Sequence, residues 1–343
     1  MWVKRGENET IEEKKRKKEV ITLVRKIKFK KKSNYNNIDP GIIPVEEYDL
    51  LEKNIVNMMT YNTFLDNGMV RLKETIDEKI MLEVPIFKMI NDYLEILKKE
   101  GEIRLTKIGN LPPKYVKELY HNNEIKEGLI EDGISTLRNE WDSEGVVVAR
   151  VISEICKFTK IRKNILSLTM IGKKIMGDKR AFFREVMMTF TNGYNWGYLD
   201  GYDESLRLGE IASYTYYLIN KYGNTLRDTT FYSEKIVLAF PMVLLPLKTK
   251  NNCTKTREDQ FNNIYSLRTF KRYMEFLGIV KLSSEGFGKK IMKKQLFDKI
   301  IDLTPINRMK ELNFKERKKD GIEGLISYLN PNQLSKLKFD KDE

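Results

Sequence analysis

The sequence predicts a mainly α-helical protein with short β-hairpins, in which helix–hairpin–helix units surround a helical insert. Three observations lead to this fold class. Apolar residues recur at helical spacing in several segments, and short alternating runs between those segments have the length of strands. The third is a repeat, because Leu-Thr-x-Ile-Gly occurs at 105–109 and again at 168–172. A chain of 343 residues, of which 41% are hydrophobic, can form two or three domains.

The first 37 residues are strongly basic. They contain 13 Lys and Arg against 5 Glu, and therefore carry +8 of the net charge of +13. This composition favours a polyanion as partner, because each neutralised phosphate releases counterions. A solvated basic helix is the other interpretation, and a membrane surface fits least because the segment lacks a broad apolar face. The basic residues predicted to contact phosphates in this arm are Lys14, Lys15, Arg16, Lys17, Lys18, Arg25, Lys26, Lys28, Lys30, Lys31 and Lys32.

The first copy of the repeat follows a helix predicted over 85–100. Pro85 suits the first helical turn, and Gly101 suits the end of the helix. A short strand then runs to Leu105, where Thr106 can cap the next turn through its hydroxyl group. Gly109 relieves backbone crowding in that turn, and the two prolines that follow can begin another helix.

The second copy follows a helix that Asp142 or Ser143 can cap. A strand is predicted over 158–162, a turn at Lys163-Asn164 and a second strand over 165–168. Leu168 ends the second strand, and Thr169 and Gly172 then begin a helix. This order of helix, two-stranded hairpin and Thr-capped helix is the wiring of a winged-helix unit.

A third, weaker copy is predicted near the C-terminal end of the sequence. Its helix covers 266–278, its first strand 279–282 and its returning strand 289–294.

The fold class is therefore tandem winged-helix units plus a helical insert. The predicted divisions are a basic N-terminal arm (1–37), a first winged-helix-like unit (38–125), a second winged-helix unit (126–180), an aromatic-rich helical segment (181–247), a linker (248–260), and a third winged-helix-like unit with a C-terminal tail (261–343).

The hairpin followed by Leu-Thr-x-x-Gly resembles winged-helix proteins of the bacterial MarR-like and archaeal regulator kind. The matching residues are Leu105, Thr106, Gly109, Leu168, Thr169 and Gly172. A broader resemblance is to uncharacterised bacterial proteins with "LTKIGNLP", here at 105–112, followed by an Asn-Trp-x-Tyr segment, here "NWGY" at 195–198. Some of those proteins are fused to a zinc-binding SEC-C motif or to a plasmid ORF-3-like domain, and neither is visible in this sequence. The resemblance implies the fold but no activity.

A winged helix reads DNA when the helix before the wing presents donors to the major groove. The predicted helix of the first unit has a nearly neutral face, so that unit is expected to be structural or protein-binding. The predicted DNA-contacting residues of the second and third units are Arg150, Lys157, Lys160, Arg162, Lys163, Arg268, Lys271, Arg272, Lys289 and Lys290. The alternative is that these side chains are hydrated on the surface and only aid solubility, because lysine and arginine serve both solubility and phosphate contacts.

No catalytic motif is found. The one histidine, His121, excludes motifs that need two, and we expect it to be a surface residue. Asp200, Asp203 and Glu204 form an acidic cluster without EF-hand spacing, which favours a solvated loop over a metal site. The nearby Tyr and Trp residues can stack on bases, but packing between helices is the favoured role. No metal or cofactor is predicted.

The chain is expected to act in a reducing cytoplasm, since it has only two cysteines, Cys156 and Cys253, and the lack of a CxxC pair gives no indication of a zinc site. The longest apolar run, at 236–247, has 12 residues, whereas about 20 are needed to span a bilayer. The predicted function is therefore non-catalytic nucleic-acid binding, with DNA favoured over RNA. A regulator is one kind of protein with this function. The alternatives are a protein-interaction scaffold of winged-helix units and a plasmid-type replication initiator, which also resembles tandem winged helices.

Overall fold

The computed structural model describes residues 46–49, 51–66, 68–198, 200–202, 205–247, 256–283 and 289–304. These residues form a mainly helical protein with three small antiparallel sheets, which confirms the predicted class of helices with short hairpins. The α-helices are α1 (Lys53–Met59), α2 (Glu78–Met81), α3 (Pro85–Glu100), α4 (Pro113–His121), α5 (Gly128–Glu131), α6 (Glu144–Ile155), α7 (Met170–Ile175), α8 (Lys179–Met188), α9 (Ala212–Tyr222), α10 (Thr229–Ala239), α11 (Arg257–Tyr265) and α12 (Gln295–Ile300). The strands are β1 (Val70–Leu72), β2 (Glu102–Arg104), β3 (Thr159–Arg162), β4 (Ile165–Leu168), β5 (Arg227–Asp228), β6 (Val280–Ser283), β7 (Lys290–Lys293) and β8 (Ile301–Leu303).

Helix α3 begins and ends where the sequence predicts. Pro85 occupies its first turn, where no hydrogen-bond donor is lost, and Gly101 ends it with φ of 75°. The apolar stripe of α3 is buried against α6, so these two helices form the centre of the first half of the protein. Burial of a helix stripe is the main source of helix stability in a folded protein.

The first three-stranded sheet has the order β2-β4-β3. Strands β3 and β4 form the predicted hairpin, and Lys163 and Asn164 turn between them with φ of 50° and 62°. Strand β2 pairs with β4 rather than with a partner of its own, so that Ile103 lies opposite Leu166. The division of 38–180 into two separate units is therefore wrong, because the pairing of β2 and β4 joins them into one.

The second three-stranded sheet repeats this arrangement in the order β5-β7-β6. Strand β5 follows α9 and pairs with β7, so that Arg227 lies opposite Ile291. The segment 181–247 is therefore not a separate insert, because α9, β5 and α10 complete the unit to which the later hairpin belongs. The predicted helix before this hairpin starts earlier than expected, since α11 begins at Arg257 and continues as a π-helix over Ser266–Met274.

Apart from the short helix α5 in the first unit, the two units share one order of elements. The first unit, 85–168, runs α3, β2, α4, α5, α6, β3 and β4, and the second unit, 212–293, runs α9, β5, α10, α11, β6 and β7. A two-stranded ribbon of β1 and β8 brings Val70 opposite Leu303. Buried side chains from both units belong to one continuous hydrophobic core. The units are therefore packed together as one body rather than joined by a linker.

Candidate nucleic-acid interface

The exposed face of the first sheet carries basic residues from one strand of the hairpin, and the turn of the hairpin adds another. Lys160, Arg162 and Lys163 are all exposed, as predicted from the sequence. Lys160 and Arg162 are two residues apart on β3, so both point to the same side of the sheet. Lys163 extends this surface into the turn.

Strand β2 adds basic residues that sequence reasoning missed. Arg104 lies opposite Ile165, and Ile165 lies opposite Arg162, so the two arginines share one face of the sheet. Their backbones are two strands apart, which corresponds to about 10 Å. Lys107 is exposed in the turn after β2, and the side chain of Asn164 donates to the carbonyl groups of Leu105 and Thr106 at 3.0 and 3.1 Å. The turn with Lys107 is thereby fixed to the hairpin.

We call this surface the wing face, and it consists of Arg104, Lys107, Lys160, Arg162 and Lys163. Among the described residues, none of its five side chains forms an ion pair. The acidic side chain on the same sheet, Glu102, lies opposite Ser167 and is separated from Lys160 by the width of β4. Five unpaired cations on one small surface can attract phosphate groups.

Helix α6 occupies the place from which a winged helix reads bases, but most of it is buried. Ser153 is fully buried and donates its hydroxyl hydrogen to the carbonyl of Ala149 at 2.7 Å. Arg150 is half-buried and pairs with Glu140 at 2.6 Å and with Glu154 at 3.1 Å. Two carboxylates therefore neutralise the guanidinium group of Arg150, and its contact with DNA stays a prediction. Lys157, just beyond α6, is exposed as predicted.

Arg268 lies in the protein interior rather than on a DNA-facing surface. Its side chain and that of Asp200 are both 0% exposed. Arg268 Nε donates to Asp200 Oδ2 at 2.6 Å, Nη2 donates to Oδ1 at 3.0 Å, and Nη1 donates to the carbonyl of Leu206 at 2.9 Å. The predicted DNA contact of Arg268 and the predicted solvated position of Asp200 are both wrong, because each charge is the buried partner of the other. Asp203 and Glu204 lie outside the described residues.

Arg272 connects the two units. It forms an ion pair with Glu144, in the first turn of α6, and donates to the carbonyl of Tyr198 at 2.7 Å. Burial raises the pKa of Glu144, and the positive charge of Arg272 offsets only part of this effect. This side chain holds α6 against the second unit, and its nucleic-acid contact stays a prediction. Lys271 beside it is exposed.

The remaining predicted residues lie at the second sheet or outside the described chain. Lys289 is exposed, and Lys290 lies on β7 between Ser283 and Asp228. Asp228 offsets part of the charge there, as Glu102 does on the first sheet. The residues 284–288 between β6 and β7, and all predicted residues of the basic arm, lie outside the described residues.

The two copies of Leu-Thr-x-x-Gly have different local structures. Thr169 caps α7 by accepting from Gly172 N–H at 3.0 Å, whereas Thr106 accepts from Asn110 N–H at 3.0 Å within a turn. Gly109 has φ of 82°, which favours glycine, but Gly172 lies against the backbone of Phe158. Leu105 and Leu168 are both buried in the core. The repeat therefore marks two strand ends of one sheet rather than two equivalent units.

Trp196, Tyr194 and His121 follow the favoured interpretations, whereas Tyr202 is exposed. Trp196 is buried and stacks on Tyr273 with ring centroids 3.8 Å apart, and its Nε1–H donates to the carbonyl of Phe190 at 2.9 Å. Tyr194 is also buried, so these two rings pack between helices rather than face a nucleic acid. His121 is exposed at the last position of α4.

Comparisons with protein-family models, with curated proteins and with solved structures found no match for this chain. Within the residues that the structure describes, no helix is long and apolar enough to cross a bilayer.

Proposed function

We propose that this chain is a non-catalytic nucleic-acid-binding protein and that its wing face contacts the phosphates of duplex DNA. The observation that carries this proposal is that the pairing of β2, β4 and β3 places Arg104, Lys160 and Arg162, exposed and without ion pairs in the described part of the chain, on one sheet face, while Lys107 and Lys163 are exposed in the adjoining turns. Duplex DNA presents one negative charge per about 1.7 Å of helix axis, so a rigid basic sheet can contact several phosphates at once. The basic arm is expected to add further phosphate contacts, and the protein is expected to act in the cytoplasm.

We also infer that both units are winged-helix units. The support is their shared order of elements and the shared strand orders β2-β4-β3 and β5-β7-β6. Because most of α6 is buried, it presents few side chains to base edges, which are the contacts that specify a sequence. We therefore favour contacts with the DNA backbone, which position a protein without specifying a sequence. Binding with weak sequence preference is therefore the expected behaviour. This inference agrees with the resemblance to bacterial and archaeal regulators.

Two alternatives have a specific observation in their favour. A protein-interaction scaffold of winged-helix units stays an alternative, since the burial of α6 leaves little of that helix to read bases. The occurrence of two similar units in one chain favours a plasmid-type replication initiator, which resembles tandem winged helices. An initiator is expected to prefer repeated sites, whereas a backbone-contacting regulator of the kind proposed binds many sequences with similar affinity.

The test compares the full chain with the triple variant K160A/R162A/K163A in binding to a fluorescent DNA duplex over a range of salt concentrations. The slope of log K against log [salt] is about −0.9 for each phosphate neutralised, so loss of three contacts reduces its magnitude by up to about 2.7. The double variant R104A/K107A is expected to reduce it by up to about 1.8 through the same effect. A smaller change for R104A/K107A alone indicates that β2 lies at the margin of the contact.

The matched control removes the same charge from another surface. Lys79, Lys99 and Lys117 are exposed and lie on α2, α3 and α4, so the variant K79A/K99A/K117A has the net charge of the triple wing variant. Equal salt slopes for the control and the wing variant contradict the proposal, because they indicate an effect of net charge alone. If the unmodified chain binds neither DNA nor RNA at low salt, the scaffold alternative is favoured.

A further inference from the structure

A cavity of about 200 Å³ lies beside the first turn of α6 and Arg272. Ligand cavities commonly have about 300–1,000 Å³, so this one suits a molecule of only a few non-hydrogen atoms. Three aromatic side chains line it, namely Trp141, Tyr194 and Tyr198. The rings of Tyr194 and Tyr198 have centroids 6.5 Å apart and planes at 65°, so they form adjoining walls rather than a stack. The wing face contributes none of the lining residues.

The charged side chains that line the cavity are mostly acidic. Glu127, Asp142 and Glu144 accompany a single lining cation, Arg272, which forms an ion pair with Glu144. Glu127 and Asp142 form no ion pair within the described residues. Glu127 accepts from the N–H of Glu144 at 2.7 Å, and Asp142 accepts from two backbone N–H groups at 2.8 Å. Two carboxylate charges at the cavity are therefore left without a cation.

Two further cations lie near these residues along the chain, but neither lines the cavity. Lys271 precedes Arg272 on the π-helix and is exposed. Arg138 is exposed as well, and its Nε–H donates to the hydroxyl oxygen of Thr136 at 2.8 Å. Exposed charges act through water, which weakens their influence on the cavity. The lining itself therefore favours a positively charged ligand.

The hydroxyl group of Tyr194 is a polar group of the cavity without a partner. Tyr194 is 8% exposed, and its hydroxyl oxygen retains accessible surface but forms no hydrogen bond in the described part of the chain. Burial raises the pKa of Tyr194, and the charges of Arg272 and Glu144 also act on it, which places the hydroxyl group near these two lining residues. A tyrosine hydroxyl oxygen can accept a hydrogen bond, so an N–H donor of a ligand can satisfy it.

We propose that this cavity binds a small primary ammonium ion, with its nitrogen near Glu127, Asp142 and the Tyr194 hydroxyl group and its alkyl chain against Trp141. The electron-rich faces of aromatic rings attract cations, and the carboxylates add charge-assisted hydrogen bonds from the ammonium group. A neutral molecule lacks this attraction, and the excess of carboxylates repels an anion. This site goes beyond the proposed DNA binding, because it is acidic and shares no residue with the wing face.

The experiment measures binding of n-butylammonium to the full chain at low salt, using the NMR signal of the Trp141 indole N–H. This N–H donates to Asn110 Oδ1 at 3.1 Å beside the cavity, and the variant W141F identifies its signal among the three tryptophans. Butan-1-ol is the matched neutral probe, and sodium chloride at equal ionic strength is the blank. We expect a saturable shift with butylammonium and at least about tenfold weaker binding of butanol. Equal binding of the two probes, or no saturable shift with butylammonium, overturns the proposal.

Tetramethylammonium tests the need for N–H donors, because it carries the same charge without them. We expect it to bind about threefold or more weakly than butylammonium, through the aromatic rings and charge alone. The variant Y194F removes the hydroxyl group and is expected to weaken butylammonium binding while leaving tetramethylammonium binding unchanged. Equal weakening of both cations by Y194F contradicts the role of the hydroxyl group as an acceptor.

A pair of charge variants locates the site. E127Q keeps an oxygen that can accept from the N–H of Glu144 but removes a carboxylate charge from the cavity, and it is expected to weaken butylammonium binding about fivefold. E124Q is the matched control, because Glu124 is exposed three residues away and does not line the cavity. Circular dichroism and the melting temperature show that both variants fold. Equal affinities of folded E127Q and E124Q for butylammonium overturn the proposal.

Discussion

The buried pair of Arg268 and Asp200 makes a strong prediction about stability. The variant D200A removes two short hydrogen bonds, at 2.6 and 3.0 Å, from a guanidinium group whose side chain is 0% exposed. Removal of one partner of a buried ion pair costs about 3–5 kcal/mol, because the remaining charge stays in a medium of low polarity. Since domains are commonly stable by about 5–15 kcal/mol, the free energy of unfolding falls by a large fraction.

The structure indicates where in this range D200A lies. Nη1 of Arg268 keeps its bond to the carbonyl of Leu206, but Gly197 packs so closely that an added Cβ would lie 2.4 Å from Arg268 Cζ. The guanidinium group therefore has little room to move toward solvent, and we expect a loss near the upper end, about 4–5 kcal/mol. D200N retains one acceptor and is expected near the lower end, about 3 kcal/mol.

The assay is equilibrium unfolding in urea, followed by circular dichroism. The control is E95Q, because Glu95 and Lys98 form an exposed pair at 3.5 Å, for which about 0.5 kcal/mol or less is expected. The double variant D200L/R268M replaces the pair by apolar side chains and is expected to be at least as stable as D200L. A loss below about 1 kcal/mol for D200A, with an unchanged urea slope, refutes the reasoning.

Two further predictions concern pH dependence and backbone crowding. Asp49 is buried, which alone raises its pKa, but hydrogen bonds from Lys221, Lys235 and Tyr222 lower the pKa below the ordinary value of 3.8. The folded-state pKa of Asp49 is lower than its unfolded-state pKa, so the ionised carboxylate stabilises the folded protein. The stability advantage over D49N is therefore expected to be full above the unfolded-state pKa and to shrink as pH falls from there through the folded-state pKa. Urea unfolding of both proteins from about pH 6 to pH 3 measures this, and an advantage that grows with acid contradicts it. G172A places a Cβ 2.1 Å from the carbonyl oxygen of Phe158 and is expected to lower the free energy of unfolding by about 2 kcal/mol or more. The control is G128A, whose added Cβ meets no atom within 4 Å and is expected to change the free energy of unfolding by about 0.5 kcal/mol or less. Thermal unfolding distinguishes them, and equal losses rule out the backbone contact as the cause.

Local features of the chain were predictable because they depend on neighbouring residues. Pro85 and Gly101 mark the ends of α3, and Lys163-Asn164 marks the turn of the first hairpin. Thr169 caps α7 as its position after the strand predicts. Each of these signals acts over a few residues, through proline geometry, left-handed backbone angles or a side-chain hydrogen bond.

The candidate site was predicted only in part. Strand alternation places Lys160 and Arg162 on one exposed face of β3, and Lys163 is exposed in the turn that follows. Arg104 joins them through pairing between residues about sixty positions apart, which no local pattern reveals. The alternation of Glu102, Ile103 and Arg104 identifies a strand but not its partner.

The sequence by itself determined the helices, the hairpins and the basic character of the protein, since spacing and composition specify these directly. Tertiary structure decided which charges are available. Arg162 and Arg268 both lie in basic stretches, yet one is exposed and the other is enclosed with Asp200. The physical reason is that the burial of a charge depends on a partner brought from another part of the chain, here 68 residues away. The same long-range packing joined two predicted units into one and turned α6 away from solvent.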